Sequence, residues 1–252
     1  MAMMNYSNGP QTVVSTDANR AAYSRAQQII FERTGRTDFI INPKLLRIEQ
    51  LLTAGRNQYK FDLYRNPGSD RPLEEKLNRN DMFFLTGISL GVAKQDTSTT
   101  PPKYGNFPVF FHPDANYFVG ANGAIFENEA LECLYNGKLT ISTKPVERQT
   151  DLLTNMFRVV PERGYTKFAA PQTRDEWPQH KLSDTILKLE PLVIIDGKQD
   201  NSVNIELGAG NTDLIAGGVT AANAALNTRN LAVLFLEGFV VVNAAQSADL
   251  WQ

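Results

Sequence analysis

The sequence predicts an all-β fold, an antiparallel jelly-roll β-sandwich with an N-terminal helix and long loops, on three observations. From Phe39 onward apolar residues alternate with period two, in runs rich in β-branched and aromatic side chains that suit a half-buried pleated surface. The runs number about nine and are separated by long polar or small-residue stretches, as in closed or sandwiched antiparallel sheets. The alternating βα order of a doubly wound sheet is missing. With 252 residues, 42% of them apolar, the chain can bury a sizeable core. The pattern divides it into an N-terminal arm and helix, 1–38, and a jelly-roll domain, 39–252.

The helix comes first. In DANRAAYSRAQQIIFERT, residues 17–34, Asp17 is placed to cap the first turn and Gly35 to end the last. Ala22, Ala26, Ile29, Ile30 and Arg33 form a narrow stripe that needs a partner surface. The short GRTDF link that follows lets the stripe bury itself on a neighbouring copy. Strands are expected near residues 46–51, 59–64, 82–93, 107–111, 131–135, 138–143, 187–195, 202–207 and 231–243. In LECLYNGKLTIST, Asn136-Gly137 suits a type I′ hairpin turn, with Leu131, Cys133 and Tyr135 on one face. In PVERQTDLLTNMF, Pro145 suits a first helical turn, and Gln149, Leu152, Leu153, Met156 and Phe157 make an apolar helix face. A charged, proline-punctuated connection, 158–184, precedes a second hairpin that turns at residues 196–201. The last strand, in LAVLFLEGFVVVNAA, is interrupted by Glu237 and Gly238 well short of the ~20 residues that span a bilayer. It reads as a core strand. The opening MAMMNYSNGPQTVVSTD carries no secretory signal pattern.

Chemistry is mostly excluded. A net charge of −2 supplies no field for nucleic acid or anionic lipid, and the single Cys133 forms no internal disulfide and reads as a buried thiol. Gly87-Ile88-Ser89-Leu90-Gly91 spells a nucleophile elbow, yet alternation continues past Ser89 and QDTSTTPPKYG forbids the required helix. Gly87 and Gly91 read instead as places where another backbone or a bulky side chain comes close. VNIELGAGNTDLI, 203–215, matches a cofactor-binding glycine turn but lies too near the end for the βα units that motif needs. His112, His180 and Cys133 do not compose a metal-ligand set. Glu74, Glu75, Glu127, Glu129, Glu132, Glu190 and Asp196 could supply a glycosidase couple. Tyr104, Phe107, Phe110, Phe111, Tyr117 and Phe118 could stack sugars or bases, or fill the core. A carbohydrate-binding or carbohydrate-cleaving β-sandwich is therefore the alternative function. No catalytic, cofactor-binding or metal residue is assigned.

LLRIEQLLTAGRNQYKFDLY, RPLEEKLNRNDMFFLTGISLGV, LYNGKLTI, LEPLVIIDGKQDNSVNIEL and LAVLFLEGFVVVN, in that order, resemble the jelly-roll coat proteins of small tailless icosahedral bacteriophages. The resemblance implies a non-enzymatic capsid subunit, assembled in the host cytoplasm into the virion, whose partners are copies of itself and other virion proteins. Its arm and helix would contact neighbours or the inner surface. The chain departs from many viral coats in lacking a dense Lys/Arg arm, so weak genome contact would fall to Arg20, Arg25, Arg33 and Arg36.

Overall fold

The computed structural model describes residues 17–96, 108–143, 148–160, 182–207 and 228–244, apart from positions 36, 54, 67, 69, 70, 116, 119, 120, 123 and 124. Helix α1 (Asp17–Thr34) is followed by strands β1 (Ile41–Leu51), β2 (Gln58–Phe61), β3 (Met82–Asp96), β4 (Ala121–Asn122) and β5 (Ile125–Phe126). Helix α2 (Glu127–Glu132) and a 3-10 turn (Cys133–Asn136) lead into β6 (Lys138–Thr143) and β7 (Arg148–Leu153). A second 3-10 turn (Thr154–Phe157), α3 (Leu182–Thr185), β8 (Leu187–Asp196), β9 (Ser202–Glu206) and β10 (Thr228–Val241) complete the order.

Two antiparallel four-stranded sheets form a sandwich, one ordered β1-β10-β3-β8 and the other β2-β9-β6-β7. Pairing is nested: β1 lies beside β10, β2 beside β9, β3 beside β8 and β6 beside β7. Between the sheets, Leu46, Ile48, Phe83, Leu85, Ile88, Leu90, Val92, Ala232, Leu234 and Leu236 meet Tyr59, Phe61, Leu139, Ile141, Val203 and Ile205 in one core.

The first sheet is also apolar on its other face. At one end Met82, Phe84, Phe239 and Val241 are covered by Ala26 and Ile30 of α1, with the Tyr23 ring edge-on to Phe239 at 5.5 Å. At the other end Ala93, Leu231, Val233 and Phe235 are covered by Phe111, with Val109, Val159 and Leu182 alongside. The α1 stripe thus finds its partner within its own chain, which corrects the expectation of a neighbouring copy. The sheet face beside it is apolar and would otherwise be wet. The helix stops at Gly35, whose φ of +64° lets its N–H donate to Phe31 O at 2.8 Å.

A bulge bends the central strands. Glu237 opposes Gly87 and Gly238 opposes Leu85, so Thr86 is the extra residue, and its hydroxyl donates to Glu237 O at 3.1 Å. Gly238 is required here, because a Cβ would overlap the Phe84 carbonyl oxygen. On the other side of β3, residues 189–192 of β8 oppose no β3 residue, and Pro191, which has no N–H for a ladder, falls in that gap.

Several expected elements are corrected, among them the second hairpin, since β8 pairs with β3 while β9 pairs with β2 and β6 in the other sheet. Residues 131–135 are the end of α2 and its 3-10 turn, not a strand. Ala130, Leu131, Cys133, Leu134 and Tyr135 are all buried, so the apparent alternation was part of a continuous apolar plug, and the helix-favouring ENEALE before it decides the conformation. Gly137 is extended (φ −102°, ψ −166°), so no type I′ turn forms. The segment expected to be a helix around residues 145–157 supplies β7 and a 3-10 turn instead, Pro145 lying outside the described residues. Pairing with β6 along the whole of β7 outweighs its helical spacing. The expected strand at 107–111 reduces to one bridge, Phe110 to Val92, with Phe107 outside the described residues. Strand 138–143 is found as expected, and the other strands keep their places with moved ends. β1 begins at Ile41, five residues before the expected start, and carries Pro43 on the edge of its sheet.

Replacing Gly238 with Ala should lower stability by about 3 kcal/mol through overpacking against β3, read from the denaturant midpoint. Ala26→Asp should undock α1 and raise binding of an apolar-surface dye, while far-ultraviolet dichroism keeps its strand signal.

Candidate functional site

The second sheet differs from the first in having one wet face. Register sets Lys60, Asn204, Thr140 and Asp151 in one row across it, and Gln58, Glu206, Lys138 and Leu153 in the next. Their neighbours along each strand point into the core, the alternation of a sheet buried on one side only. Thr140 donates to Asp151 at 2.9 Å and Lys138 Nζ to the same carboxylate at 2.8 Å, so these two charges on the face are paired. At its margin Leu153 is 61% exposed, and Met156 and Val160 beyond it are also exposed.

The edges of the two sheets are managed differently. Along β1, Arg47 and Glu75 exchange backbone hydrogen bonds at 3.0 and 2.9 Å. Charges pack over this edge: Lys44 and Arg65 pair with Glu75, Arg47 with Glu49, and Lys76 with Glu74. Such an edge resists addition of another strand. Along β7, among the described residues, the side away from β6 pairs with no strand. The wet face of the second sheet, its β7 edge and the apolar margin at 153–160 make up the surface best suited to contact another protein.

Residues singled out in the sequence fall elsewhere. Ser89 is fully buried, opposite Phe235 on β10, and its hydroxyl donates to Thr185 Oγ1 at 3.0 Å, which donates to Leu182 O at 2.8 Å. It serves as a packing and hydrogen-bonding residue. Gly87 and Gly91 are the close approaches their spacing implied: a Cβ would stand 2.5 Å from Ile186 Cγ2 at the first and 2.6 Å from Val109 Cγ1 at the second. The glycine-rich stretch from 208 and His180 lie outside the described residues. His112 is buried with Nε2 3.5 Å from Asp114.

The carboxylates are engaged in separate local contacts. Glu74 accepts from the backbone N–H groups of Glu49 and Arg71, Glu127 pairs with Lys94, Glu132 with Arg158, and Asp196 accepts from the Lys198 N–H. Glu129 and Glu190 are exposed. Of the aromatic segment, Phe110, Phe111, Tyr117 and Phe118 are buried, and Tyr104 and Phe107 lie outside the described residues. Arg20 and Arg25 are exposed on α1, and the side chains of Arg33 and Arg36 lie outside the described residues.

One cluster was missed by the sequence reading. Asp81 joins three segments: its Oδ1 accepts from Asn243 N and its Oδ2 from Asn78 Nδ2, both at 3.0 Å, and its carbonyl accepts from Gly197 N at 3.0 Å. Beside it the Tyr64 hydroxyl lies 3.1 and 3.0 Å from the carbonyls of Asp196 and Gln199 and accepts from Asn201 Nδ2 at 2.6 Å. Burial pushes that phenol above its ordinary pKa. Contacts spanning some 130–160 residues leave no local signature, so only the turn residues Asp196-Gly197 hinted at it.

No known family model, curated protein or solved structure matches the chain.

Cys133 is buried, and desolvation raises its thiol pKa, which starves it of thiolate. Native protein should therefore resist iodoacetamide at neutral pH and take up one equivalent only when denatured, as counted by mass spectrometry.

Proposed function

We propose that the protein is a self-assembling shell subunit, a jelly-roll coat protein of the kind that encloses small tailless icosahedral bacteriophages, acting in the virion with copies of itself and other virion proteins. The observation that carries the reading is the nested pairing. Numbering only the eight sandwich strands, first pairs with last, second with seventh, third with sixth and fourth with fifth, as when one long antiparallel hairpin wraps into two facing sheets. That wrapping is what a jelly roll would have, and it supports the reading.

The surfaces support it. A face of Ser, Thr, Asn and charged residues of both signs, bordered by exposed Leu153 and Met156, combines a polar hydrogen-bonding field with apolar anchors, the make-up of a protein interface. The occupant is a second copy. A shell repeats one contact many times, and a surface with near-balanced charge does not repel its own image. Weak genome contact would fall to α1, where Arg20 and Arg25 are exposed.

Electron microscopy and light scattering of the purified full chain should show shells or regular oligomers. Leu153→Asp with Met156→Asp should shift the population to monomers with unchanged dichroism. A wild-type chain that stays monomeric at high concentration would sink the reading.

A further inference from the structure

At the end of the sandwich where β3 and β10 leave the core, Lys94 and Asn230 are register partners. Lys94 follows the inward series Leu90, Val92, and Asn230 precedes the inward series Ala232, Leu234, so both side chains enter the interior. Directly opposed residues keep their Cβ atoms about 4.5–5.5 Å apart, within reach of a lysine stem. Lys94 Nζ lies 3.1 Å from Glu127 Oε2 and 5.3 Å from the ring centres of both Tyr117 and Phe118. The lysine and glutamate side chains are 11% and 3% exposed. Asn230 is 3% exposed, and neither its Oδ1 nor its Nδ2 has a hydrogen-bond partner.

A buried carboxamide with both polar atoms unused is expensive, and so is a lysine–glutamate pair removed from water. One reaction would use both the unpartnered carboxamide and the lysine beside it. We propose that Lys94 and Asn230 become joined by an intramolecular isopeptide bond, with Glu127 carrying the protons. Glu127 takes one proton from the Lys94 ammonium, and the freed lone pair attacks Asn230 Cγ. A second Nζ proton passes through the carboxyl group to Nδ2, the Cγ–Nδ2 bond breaks, and ammonia leaves. The departing ammonia takes up the first proton as ammonium and restores the carboxylate. One Cγ–Nζ amide replaces one Cγ–Nδ2 amide, so no oxidant or co-reactant is consumed.

The rings of Tyr117 and Phe118 beside Lys94 Nζ give this chemistry a surrounding with little water. The product ties together the two central strands of the first sheet and closes a long loop that the denatured chain could no longer open. It stands independently of assembly into a shell.

The test is the intact mass of the full-length chain under denaturing conditions. Wild type should fall short of its sequence mass by one ammonia, and proteolysis should yield a branched peptide in which Lys94 is joined to Asn230. Lys94→Arg retains a cation for Glu127 but no acylatable amine, and Glu127→Gln retains the shape without the base. Both should show full mass and separate peptides, and should melt at lower temperature than wild type. A wild-type chain of full mass overturns the proposal, with or without folded variants. So does an ammonia deficit that survives Lys94→Arg, or one that fragmentation places at an Asn-Gly bond such as Asn136-Gly137.

Discussion

Strands β3 and β10 are apolar on both faces, and this is the constraint from which the rest of the structure follows. Leu234 and Leu236 point between the sheets while Val233 and Phe235 point away from them, and Phe83 and Phe84 divide in the same manner on β3. A sheet centred on such strands needs two covers, since each large side chain left in water would forfeit about 1.5–3 kcal/mol. The second sheet supplies one. Helix α1 and the Val109–Phe111 passage share the other, which is why a helix with only a narrow apolar stripe is held firmly.

The demand for two covers also explains the glycines. Gly91 and Gly87 clear room for the segments that close over the outer face, and Gly238 allows the bulge at Thr86 that keeps residues on either side of it facing inward. The motif that first suggests a nucleophile is thus a consequence of packing: Ser89 is small because Phe235 and the α3 turn occupy the space around it. The polar atoms it brings into that layer are satisfied by Thr185, so its burial costs little.

With the first sheet covered twice, among the described residues the broad strand surface open to solvent is that of the second sheet. Its face is polar, with Lys138 paired to Asp151, and among the described residues β7 pairs with no strand on its outer side, whereas β1 is closed by Glu75 and a group of charges. The contacts with further copies proposed above would therefore lie on one side of the sandwich. The covered side is sealed by its own chain.

Helix α1, its glycine stop and most strands of the sandwich were legible in the sequence, because period, caps and β-branched runs are local properties of neighbouring residues. The readings at 131–135 and 145–157 went the other way for one reason: both segments are short and apolar enough to satisfy either period, and what decides them is the surface each meets. Tyr135 and Leu134 fill the end of the sandwich, so their stretch turns tightly, while residues 148–153 find the open edge of β6 and extend. The same limit applies to the charged and polar residues. Composition alone placed Lys94, Glu127 and Asn230 on no common site, being far apart along the chain, and only the folding of β10 against β3 and of α2 over their end brings the three together. Local order was written in the neighbouring side chains; pairing, register and the meeting of distant polar groups depended on which buried surfaces had to be covered.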